Sequence, residues 1–314
     1  MSKEVLTHIC TSARKDSYSW ALYFFKIDKR AKQPFKVNKV RFKNNSYLLQ
    51  YAQNLLNATE AFQIDQISEV QDYDGENSKV SCDKLLLTNE LISEQWKLFS
   101  QAVAASSEQK IDGKINGYIL CGQPSEHGDK SVTFVKVANP ITKLTKKSVV
   151  FSSTANDELD LITDDVCRLY LTVDFIAYSD IMYTFNHKFE TIFNLEKTMA
   201  KIKQHAIEEI AATNVFSNID SFKSLASQYK SSRTFITLKS ERISRIKNKR
   251  NRKAVADMLH LPLDTNGNFA ITTAEEASLL IRYLCFKIFQ DNETKDVLES
   301  NTVKKLSIEY SSSQ

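Results

Sequence analysis

The 314-residue chain has few residues that break regular structure: it contains six glycines and four prolines. Long disordered linkers and glycine-rich phosphate loops both need these residues in number, so the composition argues against both. The sequence contains no Walker A, GxSxG or GxGxxG motif. It therefore gives no support for a P-loop nucleotidase, an α/β-hydrolase or a dinucleotide-binding oxidoreductase.

Cysteine and histidine are also sparse. The five cysteines are odd in number, widely spaced and without a CxxC pair, which argues against a disulfide framework and a zinc ribbon. The five histidines form no HxH or HExxH pattern. We therefore expect reduced, buried thiols, no metal site, no cofactor and no small-molecule substrate.

Long apolar runs are missing as well. The longest, residues 20–25, is far too short to span a bilayer. Lys3 and Glu4 begin an N-terminus without the apolar core of a signal peptide. These features predict a soluble, cytoplasmic protein, in which any membrane association comes through a partner.

The hydrophobic pattern predicts an α+β fold in two regions. Residues 1–186 are expected to form a mostly antiparallel sheet with flanking helices, and residues 187–314 a mainly helical region, with the two regions free to pack as one unit. The segment 115–185 alone supplies about five or six short strands. Further strands are predicted at 21–27, 35–42 and 61–70, and helices at 47–57, from 89, and at 189–212, 219–229, 239–259 and 273–289.

What the chain does have is segregated positive charge. The 239–253 segment contains eight lysines and arginines against Glu241, and the 26–43 segment contains eight against Asp28. The whole chain carries only +4, and without these two segments it would carry −10. Single charge runs are usually solvated faces, but two in an otherwise acidic chain favour a binding surface for a polyanion such as DNA.

The candidate nucleic-acid-binding residues are the cations of these segments. If 239–259 is one helix, Arg242, Arg245, Lys249, Arg252 and Lys253 share one side of it. In the 26–43 segment, alternation puts Lys39, Arg41 and Lys43 on one face of a regular strand. The full set is Lys239, Arg242, Arg245, Lys247, Lys249, Arg250, Arg252 and Lys253, supported by Lys36, Lys39, Arg41 and Lys43.

The 239–253 segment has no aromatic residue. Base stacking is therefore unsupported there, and contact with phosphates of duplex DNA without base readout fits better. The expected function is non-enzymatic DNA binding with weak sequence specificity.

Two other functions stay open. One is a metal-dependent nuclease that uses Asp174, Asp180 and Glu190, although no Glu-x-Lys follows on a neighbouring strand. The other is an interaction scaffold whose cations bind an acidic protein or anionic lipid headgroups. The acidic segment 157–165 matches no known metal-binding loop and is interpreted as a solvated face.

One segment resembles a known family. In residues 132–193 a strand ends at Asn139-Pro140, a short strand follows, and the sequence then reads VDFIAYSDIMYTFNHKFETIF. An apolar strand with Asp, a second strand, Asn, and Phe-Glu opening a helix resemble the KwaB-like family of the Kiwa anti-phage defence system. The matching residues are Asp174, Asp180, Asn186, Phe189 and Glu190.

The resemblance implies a bacterial, cytoplasmic, DNA-binding effector that works with the membrane-embedded partner KwaA. Binding to phage DNA would hinder its replication and transcription without cutting it. The resemblance does not say which residues contact DNA, so the candidate residues rest on charge alone. A homodimer or higher homo-oligomer is expected, because symmetric assemblies are common and add avidity on a duplex.

Overall fold

The computed structural model describes residues 3–15, 18–75, 81–108, 114–125, 130–142, 150–153, 159–162, 166–291, 296–299 and 304–305. The chain folds into two compact units. Unit 1 is Met1–Tyr73 with Asn77–Leu195, and unit 2 is Asp74–Glu76 with Glu196–Gln314. Unit 1 carries the large sheet and unit 2 is mainly helical, so the predicted α+β class is confirmed.

Unit 1 combines short helices with many strands. Its helices are α1 Glu4–Ala13, α2 Asn45–Thr59, α3 Ser93–Ala104 and α4 Lys188–Ile192. Its strands are β1 Tyr18–Ile27, β2 Phe35–Lys39, β3 Glu69–Asp72, β4 Ser81–Leu86, β5 Gly117–Pro124, β6 Val132–Lys136, β7 Ile141–Thr142, β8 Val150–Ser153, β9 Leu159–Ile162, β10 Val166–Cys167, β11 Phe175–Tyr178 and β12 Ile181–Thr184.

Within the described residues, unit 1 contains an eight-stranded sheet in the order β2-β1-β5-β6-β11-β12-β4-β3. Its pairs are antiparallel except for β3 with β4 at one edge. The sheet is larger than the five or six strands expected from 115–185, because strands from the first ninety residues extend both edges. The pairs β7–β10 and β8–β9 lie outside it.

Both faces of this sheet are buried. The row Leu22, Leu120, Phe134, Ile176 and Tyr183 packs with α1 and α2 on one face. The alternate residues of these strands point to the other face of the sheet, which packs against an aromatic cluster. In that cluster the Phe99 ring of α3 lies 5.7 Å from Phe25 and 5.1 Å from Phe35, measured between centroids.

Two strand predictions in unit 1 are wrong. The first four residues of the strand expected over 61–70 instead lie in a π-helical turn, Glu60–Ile64, that continues α2. This turn buries Ile64 completely and leaves Phe62 64% exposed, whereas a strand would point both side chains to one face. Similarly, one of the short strands expected within 115–185, over residues 168–178, is limited to β11, Phe175–Tyr178, and residues 168–174 do not continue β10.

Unit 2 is built from α5 Leu195–Ala211, α6 Ile219–Ser227, a 3-10 turn Ser232–Thr237, α7 Ser240–Lys247, α8 Lys249–Leu259 and α9 Ala274–Leu284, with strands β13 Ile288–Gln290, β14 Val297–Glu299 and β15 Lys304–Lys305. Helix α5 begins beside the unit boundary, at Leu195. Ile210, Phe222, Ile246, Leu259 and Leu280 are fully buried in one core. Thr273 caps α9 in a capping box with Glu276.

The helix predicted over 189–212 is interrupted. Helix α4 ends at Ile192 and α5 begins at Leu195. Between them Phe193 is buried against Phe99, with centroids 5.9 Å apart, and Asn194 takes a positive φ of 53°. The break between α4 and α5 thus coincides with the burial of the Phe193 ring in the aromatic cluster.

Candidate nucleic-acid interface

The 239–253 segment is two helices and not one, which corrects the expectation of a continuous helix over 239–259. Asn248 has an extended backbone, with φ −74° and ψ 123°, so α7 ends there and α8 starts. Its side-chain Oδ1 accepts hydrogen bonds from the backbone N–H groups of Arg250, at 3.0 Å, and Asn251, at 3.2 Å. The cations expected on one continuous side are therefore divided between two helices.

Six of the eight cations in this segment are exposed. Among the residues that the structure describes, none of these six forms an ion pair with an acidic side chain. Their charged groups are thus exposed to solvent. They are Lys239, Arg245, Lys247, Lys249, Arg250 and Lys253.

Arg252 has a different environment. Its side chain is buried, with 7% exposure. Its Nε donates to the Gly267 carbonyl at 2.7 Å, and Nη1 donates to the carbonyls of Ile246 at 3.1 Å and Lys247 at 3.4 Å. This guanidinium satisfies the last carbonyls of α7, so we leave Arg252 out of the proposed phosphate contacts.

Arg242 is half-buried against aromatic rings. Its guanidinium carbon lies 4.5 Å from the Tyr283 centroid and 4.1 Å from the Phe286 centroid. The Lys239 ammonium lies 5.8 Å from Phe286. Although the segment has no aromatic residue of its own, tertiary packing gives it Phe286, which is 38% exposed.

A cavity of about 400 Å³ opens at the start of α8. It is lined by the cations Lys249, Arg250 and Lys253 and by Leu263 and Gly267. The sequence analysis did not select Leu263 or Gly267, although the DTNGN sequence at 264–268 is a recognisable turn.

The 26–43 segment lies in unit 1 and does not form one face. On β2, Lys36 and Lys39 are separated by three positions, so they point to opposite faces of the sheet. The strand ends at Lys39, so the face predicted for Lys39, Arg41 and Lys43 is not a strand face. Arg41 is paired with Glu108, while Lys43 is exposed.

The carboxylates of the nuclease hypothesis lie in different environments. Asp174 is 1% exposed and accepts hydrogen bonds from the Val137 N–H at 2.6 Å and the Asn186 side chain at 2.8 Å. The ammonium groups of Lys136 and Lys188 lie 3.4 Å and 3.3 Å from it. Asp180 is exposed in the turn between β11 and β12.

Glu190 belongs to a second buried polar cluster, which the sequence analysis missed. It accepts a hydrogen bond from the Tyr73 hydroxyl at 2.8 Å and lies 3.1 Å from Nδ1 of His187. Nε2 of His187 lies 3.7 Å from Asp83. Nowhere in the described part of the chain do three or more His, Cys, Asp or Glu side chains form a group suited to a metal ion.

The comparisons with known proteins place the chain in a family. The family model described as Kiwa protein KwaB-like matches residues 125–294, which is more than half of the chain. The chain belongs to the KwaB-like family. It is thus a protein of the Kiwa anti-phage defence system, as the resemblance in the sequence implied. Neither the curated proteins nor the solved structures gave a match.

The KwaB-like match includes the whole 239–253 segment, the cavity at the start of α8 and the Asp174 cluster, but not the 26–43 segment. Among the helices formed by described residues, none combines the length and the apolar composition needed to cross a membrane.

Proposed function

We propose that this KwaB-like protein binds duplex DNA through its phosphates and hinders replication and transcription of phage DNA without cutting it. The observation that supports the proposal is the set of six exposed cations on α7, on α8 and at the N-cap of α7, none of which forms an ion pair with an acidic side chain among the described residues. In a chain whose remaining charge is negative, such a set attracts a polyanion because neutralised phosphates release their condensed counterions.

The proposed contacts are Lys239, Arg245, Lys247, Lys249, Arg250 and Lys253. Lys36, Lys39 and Lys43 are supporting contacts from the other unit. Arg41 joins them only if DNA competes with Glu108 for its guanidinium. Because contacts to phosphates carry no sequence information, we expect similar affinity for unrelated sequences.

In the cell, the protein acts in the cytoplasm and reaches the inner membrane through the membrane protein KwaA. A homodimer or higher homo-oligomer would bring two cationic surfaces to one duplex and raise the effective affinity. Its weak sequence dependence suits an effector that must act on many phage genomes.

The test is a mobility-shift titration of the purified full chain with several unrelated duplexes over a range of salt concentrations. If the six cations of α7 and α8 each neutralise one phosphate, log K falls by roughly 5 for each tenfold rise in salt. Magnesium is included, and the DNA is inspected for cleavage afterwards. Absence of binding at low salt contradicts the proposal, and cleavage points to the nuclease alternative.

A charge-matched pair of variants locates the surface. Arg245→Glu with Lys249→Glu reverses two exposed cations of the proposed surface, and we expect binding to every duplex to be lost at moderate salt. Lys197→Glu with Lys201→Glu changes the net charge equally on the exposed side of α5. If both double variants lose affinity equally, net charge and not this surface drives the interaction.

A further inference from the structure

Three cations contribute to the lining of the cavity at the start of α8, together with Leu263 and Gly267. Lys249 and Lys253 are four residues apart on the helix, so their side chains are neighbours, and Arg250 lines the same cavity. Like charges at this spacing repel, and they also lie at the positive end of the helix dipole. An anion in the cavity would reduce this repulsion.

The anion site consists of side chains and not of the free N–H groups of a helix terminus. The N–H groups of Arg250 and Asn251 are already bonded to Asn248, and the N–H of Arg252 donates to the Asn248 carbonyl at 2.8 Å. An incoming anion would therefore interact with the two ammonium groups and the Arg250 guanidinium.

The cavity wall is held by hydrogen bonds of Arg252 and Asp264. Arg252 joins the end of α7 to the carbonyl of Gly267 on the opposite wall. Asp264 Oδ1 accepts from the N–H groups of Asn266 and Asn268, both at 2.8 Å, which shapes the turn that presents Gly267. Gly267 has a φ of +79°, and a Cβ there would lie 2.9 Å from Cε of Lys249. A larger residue would therefore displace the lysine that lines the cavity.

The charge and size of the cavity suggest its ligand. Phosphates within a DNA strand each carry one negative charge, whereas a phosphomonoester carries about −1.5 to −2 and suits several convergent cations. The volume of about 400 Å³ lies in the range of small-ligand pockets, and Leu263 provides an apolar contact beside the cations.

We propose that this cavity binds the 5′-phosphomonoester of a nucleotide, with Lys249, Arg250 and Lys253 on the phosphate and Leu263 against the sugar or base. This inference rests on the proposed DNA-binding function, because that function is the reason for choosing a nucleotide as the ligand. The nucleotide is either the phosphorylated end of a DNA strand or a free mononucleotide, since both present the same group.

The first measurement is calorimetric titration of the full chain with 5′-AMP and with adenosine. We expect 5′-AMP to bind and adenosine to bind at least about tenfold more weakly, because hydrogen bonds to a charged group are lost. Lys253→Gln should weaken 5′-AMP about tenfold by the same reasoning. Lys201→Gln, which removes an exposed cation of α5 outside the cavity lining, should leave the affinity for 5′-AMP unchanged.

The second measurement separates the two sources. A duplex with 5′-phosphates is compared with the same duplex carrying 5′-hydroxyls, and closed circular plasmid serves as DNA without ends. Tighter binding of the phosphorylated duplex, with that preference lost in Lys253→Gln, identifies a strand end as the ligand. Equal binding of both duplexes, with 5′-AMP still bound, identifies the free nucleotide.

The proposed phosphate site and the proposed DNA-binding function are contradicted by different results. If plasmid binds but 5′-AMP binds no better than adenosine, or Lys253→Gln does not change its affinity, the pocket assignment is wrong and DNA binding stands. If 5′-AMP binds in the expected way but plasmid and both duplexes do not, the pocket stands as a free-nucleotide site and the proposed DNA-binding function is wrong.

Discussion

Nε of Arg252 donates a hydrogen bond to the carbonyl oxygen of Gly267 over 2.7 Å, across fifteen residues of sequence. The same guanidinium reaches two carbonyls at the end of α7. One buried side chain thus connects α7, α8 and the 264–268 turn. An arginine in a run of cations acts here as a structural residue.

We expect Arg252→Met to destabilise unit 2 by about 3 kcal/mol, because three carbonyls lose a charged donor while little volume is lost. Both tryptophans, Trp20 and Trp96, lie in unit 1, so far-UV circular dichroism during urea unfolding is the suitable measurement. Arg250→Met is the control, since this exposed side chain should change stability by less than about 0.5 kcal/mol. Equal effects of the two substitutions would contradict the structural role of Arg252.

Asn248→Ala should cost about 1 kcal/mol of unit 2 stability, because it removes the acceptor for two N–H groups at the start of α8. The matched substitution Asn251→Ala lies on the exposed side of the first turn and should be neutral or slightly stabilising, because alanine has the higher helix propensity. Circular dichroism under urea measures both. A larger loss in Asn251→Ala would show that Asn248 does not cap the helix.

Asp174→Asn should destabilise unit 1 by roughly 3 to 5 kcal/mol, since it removes the counter-charge of Lys136, whose side chain is only 12% exposed. Burial already lowers the pKa of Lys136, and the Asp174 carboxylate opposes that shift. Tryptophan fluorescence during urea unfolding reports on this unit. Asp180→Asn, in an exposed turn, should stay within about 0.5 kcal/mol, and a comparable loss there would refute the counter-charge argument.

The reactivity of each cysteine thiol should depend on whether its side chain is buried or exposed. Cys167 is exposed, whereas Cys10, Cys82, Cys121 and Cys285 are buried. In the native protein at neutral pH we expect Ellman's reagent to modify Cys167 alone, and all five cysteines to react after unfolding in urea. Cys167→Ser should abolish the native reaction. Rapid modification of that variant would show that a second thiol is accessible.

Alkaline pH should weaken the fold through the same thiols. Burial raises the pKa of Cys10 and Cys285 from 9.0 to about 12. The folded state therefore retains these protons longer than the unfolded state, and this contribution to stability is complete below pH 9 and is lost as pH rises towards 12. Urea midpoints measured from pH 8 upward should fall less in Cys285→Ala than in the parent chain. If the urea midpoints of Cys285→Ala and of the parent chain fall equally with pH, the Cys285 thiol does not contribute to the loss of stability at alkaline pH.

The local pattern of apolar residues in the sequence was sufficient to predict much of the fold. Strand β1 and helix α2 each depend on apolar patterns within a few residues, so the sequence predicted them as a strand over 21–27 and a helix over 47–57. The 60–64 turn was missed because Phe62 and Ile64 alternate as in a strand. Only the burial of Ile64 in a core formed by distant residues favours the helical turn.

The sequence by itself determined the α+β class, the separation of charge and the family resemblance, because composition and short-range periodicity are properties of the chain before it folds. Only the tertiary structure decided which cations stay in solvent. It buried Arg252 on three carbonyls, stacked Arg242 on Phe286 and assembled a cavity from Lys253 and Gly267. Side chains of one type look alike in a sequence, and their roles differ because partners distant along the chain set their burial and hydrogen bonding.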